Sequence, residues 1–269
     1  MATLYVSPNG AGLREWILDR ERQAPSPIST SSSSAAGPAE VLLLADQGAY
    51  QQNTQLSISK GGTEGAPVTI RGIDSSGDPM AAEIVGSRSS TWTYGMSEGN
   101  ELFRAAVRRQ QPGVRGPLHQ LLRQRRVPCR RGHLELTIRD VDASNVARFV
   151  ENYVSGTATS ATISGLTVED VNVTDYSRSV IRLQYDTHDV VIDNVVGDSE
   201  RTFGGLYVCG IALDGTAHDV VISDTVMKNN FGQGTASEYW NGDGFSTERS
   251  IYNVRFENHR GVRQHRRRL

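Results

Sequence analysis

Along residues 134–258 apolar and polar positions alternate in short β-branched runs, and the runs come back. His188-Asp189-Val190-Val191-Ile192-Asp193-Asn194 is nearly repeated as His218-Asp219-Val220-Val221-Ile222-Ser223-Asp224, thirty residues later. The same offset links Leu136-Thr137-Ile138-Arg139-Asp140-Val141 to Leu166-Thr167-Val168-Glu169-Asp170-Val171, and Ile251 to Asn258 is a weaker copy. Each run is closed by Asp, Asn or Gly, so each predicts a strand followed by a turn. Helical spacing of apolar residues is absent from this stretch.

Strand units of roughly 20–30 residues predict a coil in which each turn of chain lies on the one before. Adjacent strands would pair in parallel, about 4.8 Å apart. Val168, Ile192 and Ile222 would then stack in the interior. The step from 168 to 192 is shorter than the step from 192 to 222, which predicts turns of unequal length. A β-sandwich with accidental self-similarity is the competing fold, but a sandwich has no need of near-identical strands at a fixed offset. The expected class is all-β, a parallel β-helix (solenoid).

Three segments break the pattern. Residues 104–133 hold nine Arg and no Asp or Glu, residues 259–269 hold five Arg and no acid, and residues 11–36 include Ser31-Ser32-Ser33-Ser34. Arginine outnumbers lysine 26 to 2, the bias of a GC-rich gene. Polyanion binding and a solvated loop are two accounts of these patches. Translation in a shifted frame is the preferred one, because the strand pattern resumes after each internal patch. The expected organisation is one solenoid domain over 1–258, with irregular patches at 11–36 and 104–133 and an aberrant basic tail at 259–269.

Composition narrows the function classes. Aromatic residues make up only 7%, and 27 glycines suit many short strands with a thin core. The net charge of −2 gives no electrostatic case for nucleic acid or a membrane surface. No apolar run approaches the roughly 18 residues that a membrane span needs. Cys129 and Cys209 form neither a disulfide framework nor a metal signature, and Cys209 reads as a buried thiol. His188 and His218 occupy equal positions in two units and predict a stacked ladder. Asp186 and Asp214 lie near strand ends, as turn caps or as acidic site residues. Asn172-Val173-Thr174 fits a glycosylation sequon.

Leu4-Tyr5-Val6-Ser7-Pro8-Asn9-Gly10 resembles the opening strand of bacterial β-helix proteins of the pectate-lyase-like superfamily. Gly61-Gly62-Thr63-Glu64-Gly65-Ala66-Pro67-Val68-Thr69-Ile70-Arg71-Gly72, followed by Ala82-Glu83-Ile84-Val85-Gly86, is similar to an early turn of the same group. Trp240-Asn241-Gly242-Asp243-Gly244-Phe245-Ser246 resembles the Asn-x-Asp-Gly-Phe motif of polysaccharide lyase family nine. The resemblance covers about 1–10, 37–103 and 134–258. It implies a right-handed coil and β-elimination on a uronic-acid polysaccharide: calcium on the uronate carboxylate stabilises charge as a basic side chain removes the C5 proton.

Carried over residue by residue, the resemblance assigns Asp243, with Asn241 beside it, as calcium ligands. Glu238, Tyr239 and Trp240, just before the motif, either line a sugar groove, where aromatic faces stack on sugar rings, or serve turn and packing roles; no catalytic base is assigned. The Asp-rich segment that should follow Phe256-Glu257-Asn258 is replaced by His259-Arg260-Gly261-Val262-Arg263, and the expected downstream lysine has no counterpart. A coil incomplete at its C-terminus, inactive even if its parent is a lyase, is therefore expected. The resemblance also implies an extracellular parent, although Met1-Ala2-Thr3-Leu4-Tyr5-Val6 shows no signal peptide. A uronan C5-epimerase and a non-catalytic glycan-binding adhesin or tailspike-like stalk are the alternatives.

Overall fold

The computed structural model describes residues 3–8, 14–17, 40–52, 55–58, 61–63, 65–87, 101–107, 132–154, 162–199, 207–230, 241–247 and 250–261. Nineteen strands run through them. The first eight are β1 Thr3–Ser7, β2 Arg14–Ile17, β3 Glu40–Leu44, β4 Tyr50–Gln52, β5 Leu56–Ile58, β6 Val68–Ile73, β7 Ala82–Gly86 and β8 Glu101–Val107. There follow β9 Gly132–Ser144, β10 Arg148–Val154, β11 Thr162–Thr174, β12 Ser179–Leu183, β13 Asp186–Asp198 and β14 Tyr207–Leu213. The last are β15 His218–Ser223, β16 Val226–Lys228, β17 Asn241–Thr247, β18 Tyr252–Glu257 and β19 Arg260–Gly261. Among the described residues no helix is long and apolar enough to cross a membrane.

The strands form a parallel β-helix. One sheet runs β18-β15-β13-β11-β9-β6-β3-β1-β2 and a second runs β17-β14-β12-β10-β8-β5. Strand pairing is parallel except where β2 lies antiparallel on β1. Ile70, Ile138, Val168, Ile192, Ile222 and Phe256 stand in one continuous register across six strands. Ile138, Val168, Ile192 and Ile222 are all fully buried. The predicted interior row is therefore present, and the sandwich is excluded. The 24-residue step from Val168 to Ile192 and the 30-residue step from Ile192 to Ile222 keep the same register, so the difference in length is absorbed outside this sheet.

The corners explain the Asp and Asn residues that close each repeat. Asp140, Asp170, Asn194, Asp224 and Asn258 lie at successive register positions, and each has a left-handed backbone with φ between 45° and 52°. Asp and Asn tolerate this conformation because their short polar side chains bond locally. A second such column runs through Glu135, Gly165, Asp189, Asp219 and Asn253. Where the strand runs on, as β13 does through Asp189 and Asn194 to Asp198, one left-handed residue turns a corner and pairing resumes, which corrects the expectation of a terminating turn there. β15 and β18 do end just before Asp224 and Asn258, as expected.

Gly72 occupies the first column without a side chain for a steric reason. A Cβ there would lie 2.1 Å from the Met80 carbonyl oxygen and 2.4 Å from that of Asp140. Regular pairing also reaches into the segments that looked irregular. Arg14–Ile17 pairs with β1, Arg104–Val107 belongs to β8 and pairs with β10, and Arg260–Gly261 pairs with β16. Charge had masked the alternation in these short strands. Residues 18–39, 108–131 and 262–269, where most of the three irregular segments fall, lie outside the described residues.

Candidate functional site

The second sheet brings charged side chains together on its outer side. Arg104, Glu151, Arg182, Ala212 and Ser246 follow one another in register across β8, β10, β12, β14 and β17. Glu151 accepts from Gln184 Nε2 at 2.9 Å and lies 3.5 Å from both Arg148 Nη1 and Arg182 Nη1. Arg182 Nε donates to Asp214 Oδ2 at 2.8 Å. A neighbouring row holds Arg148 and Ser179, then Cys209 and Asp243. The Cys209 amide donates to the Arg178 carbonyl at 2.8 Å, which sets Cys209 beside Ser179.

Polar capacity here exceeds its use. The Arg148 Nε and Ser179 Oγ atoms are buried without a hydrogen-bond partner, and Ser179 is 3% exposed. Buried polar atoms normally find partners, so each such atom asks for an explanation. Burial pulls the Arg148 guanidinium below its ordinary value, partly offset by Glu151 and reinforced by Arg182. It stays cationic at any physiological pH. Burial pushes the Cys209 thiol up to about 11, and the Asp243 carboxylate pushes in the same direction. Cys209 is therefore an inert, buried thiol.

The structure places the sequence-derived site residues unequally. Asp243 lies in β17, exposed, opposite Cys209 in register, and Asn241 begins the same strand opposite Tyr207. Glu238, Tyr239 and Trp240 fall outside the described residues. Asp214 serves as the partner of Arg182, and Asp186 lies 3.2 Å from His218 Nε2. His188 stacks on His218 with ring centroids 4.9 Å apart, and Tyr252 extends the stack at 4.6 Å. Each imidazole Nδ1 contacts the carboxylate of the next residue, Asp189 or Asp219, at 2.6 Å. Lys228 is 3.0 Å from Asp198.

Calcium needs six to eight oxygen ligands, usually several from carboxylates. Among the described residues no three His, Cys, Asp or Glu side chains converge to hold a metal. Those residues do not by themselves form the calcium site that the resemblance implies for Asp243 and Asn241. Arg148, Glu151 and Arg182 were absent from the sequence-derived site. Their signal is a charge that interrupts an apolar strand, as in Phe149-Val150-Glu151-Asn152 and Val180-Ile181-Arg182-Leu183.

No family model matches the chain. No curated protein matches it either. A solved structure that does match is a protein of Parabacteroides merdae, provisionally described as a glycosyl hydrolase. It shares 12% identity over 82% of this chain and 80% of its own, with a TM-score of 0.46. The assignment of the fold rests on the strand register described above.

Proposed function

We propose that this chain is a carbohydrate-active β-helix whose ligand, an acidic polysaccharide, lies across the outer side of the second sheet. The observation that carries this reading is the guanidinium–carboxylate row Arg148, Glu151, Arg182 and Asp214. Planar guanidinium forks suit carboxylates, and paired charges of both signs suit sugar hydroxyls.

Asp243 extends the same sheet by one strand, so the lyase motif and the charged row would meet one extended chain. β-elimination, C5-epimerisation and simple retention are three uses of that arrangement. The extracellular setting expected of the parent agrees with a polymeric glycan as ligand. Calcium enters this reading only as an arm of the test.

The test is affinity electrophoresis through gels containing polygalacturonate, alginate or neutral dextran, with and without calcium. Retardation by the acidic polymers alone is expected, and Arg182→Ala should weaken it roughly tenfold while the melting temperature changes little. Equal retardation in dextran, or an unchanged Arg182→Ala, would sink the reading. The ultraviolet absorbance of an unsaturated uronate reports elimination, and deuterium uptake at C5 without that absorbance reports epimerisation. A glycan that binds and does neither marks a non-catalytic binder.

A further inference from the structure

Arg182 is held firmly at one side of its guanidinium and only loosely met at the other. Its Nε donates to Asp214 Oδ2 at 2.8 Å, the usual length of a charge-assisted bond. Asp214 is fixed in turn by the backbone: its amide donates to the Leu183 carbonyl at 2.8 Å, and the Thr216 amide donates to the Tyr185 carbonyl at 2.9 Å. The terminal Nη1 of Arg182 lies 3.5 Å from Glu151 Oε1, well beyond the about 2.7–2.9 Å of a close ion pair. Glu151 is anchored elsewhere. Its Oε1 accepts from Gln184 Nε2 at 2.9 Å, and its Oε2 lies 3.5 Å from Arg148 Nη1 on the same strand. Gln184 is itself tied down, since its amide donates to Asn152 Oδ1 at 2.6 Å. Side-chain exposure falls from 32% at Arg182 to 13% at Arg148 and 9% at Glu151, so a ligand meets Arg182 first.

We propose that Glu151 is an internal competitor for Arg182, a carboxylate of the protein's own that faces the guanidinium end a ligand carboxylate would take. The inference rests on the acidic-polysaccharide reading above and adds a restraint on the affinity of that same site. A uronate carboxylate can take the terminal nitrogens of Arg182 while Asp214 keeps Nε, so the close bond that holds the side chain does not have to break. The bound carboxylate then stands near Glu151, and like charges in a partly desolvated place repel. Glu151 therefore lowers the affinity of the free site. A purely structural Glu151 has the opposite consequence. Removing one partner of a buried ion pair leaves the other uncompensated, here Arg148, and a site loosened in that way binds less. The sign of the change in affinity separates the two roles.

Affinity electrophoresis of the full chain in polygalacturonate gels reads that sign. Glu151→Gln keeps the shape of the side chain and should bind roughly tenfold tighter than wild type. Arg148→Met combined with Glu151→Gln removes both members of the buried pair and leaves the net charge as it was. This double variant should also bind tighter than wild type, so that overall charge is not the cause. It carries the test as well should Glu151→Gln lose its melting transition, because no buried guanidinium is left uncompensated. Adding Arg182→Ala to either variant should abolish the gain. A wild type that is not retarded, or is retarded equally without Arg182, sinks the reading of the site itself. Retardation that Arg182→Ala weakens, with neither Glu151 variant tighter than wild type or with a gain that survives the loss of Arg182, overturns the competitor alone.

Discussion

Burial of single titratable groups makes this solenoid sensitive to alkali. Cys209 has an ordinary thiol value near 9 in the unfolded chain and about 11 in the folded one, because burial and then Asp243 disfavour the thiolate. The folded state keeps a proton that the unfolded chain gives up, so this contribution is complete below pH 9 and is lost as pH rises towards 11. A difference of that size corresponds to about 2 to 3 kcal/mol. Urea titrations at pH 8 and pH 10 should show stability falling between them, and Cys209→Ala should lessen the fall. Tyr50 and Tyr176, whose phenols burial also raises, carry the loss further at higher pH. An identical pH dependence in wild type and Cys209→Ala would show that Cys209 titrates as an exposed thiol.

At the scale of the strand, the corner residue contributes to stability through the backbone conformation it holds. Asn194 holds φ at 48° and donates from Nδ2 to Asp170 Oδ1 at 2.7 Å. Asn194→Ala keeps a β-carbon in the left-handed region but removes the short polar side chain that bonds locally, and should cost about 1 kcal/mol in urea unfolding. Asn194→Gly loses the hydrogen bond but keeps the conformation, so its loss should be smaller. An alanine variant as stable as the glycine variant would mean the corner is not conformationally demanding. These corners were legible in the sequence as Asp and Asn at a fixed offset, because backbone handedness is a local property. The outer charged row was not. Arg148 lies three residues before Glu151 on the same strand, but Arg182 lies 31 residues after it, and only the coiling of the chain brings that second guanidinium to the carboxylate. The interior row Val168, Ile192 and Ile222 was legible because burial and alternation act within each strand. The strands β2 and β8 were hidden because each carries charge where the pattern expected none.

For the whole molecule, a solenoid is a stack of neighbours, and each turn of chain is stabilised chiefly by the turns on either side. Opening should therefore be graded along the axis rather than all-or-none. The strands β11 and β13 lie between paired neighbours on both sides, and their inward side chains are fully buried. β18 has one described neighbour, and none of the six residues of β18 is fully buried. Amide hydrogen exchange measured in dilute solution should be slowest in β11 and β13, intermediate in β15, and fastest in β18. Uniform exchange across β11, β13, β15 and β18 would instead mean that the coil opens as a single cooperative unit, with stability shared along its length and not passed from each turn to the next.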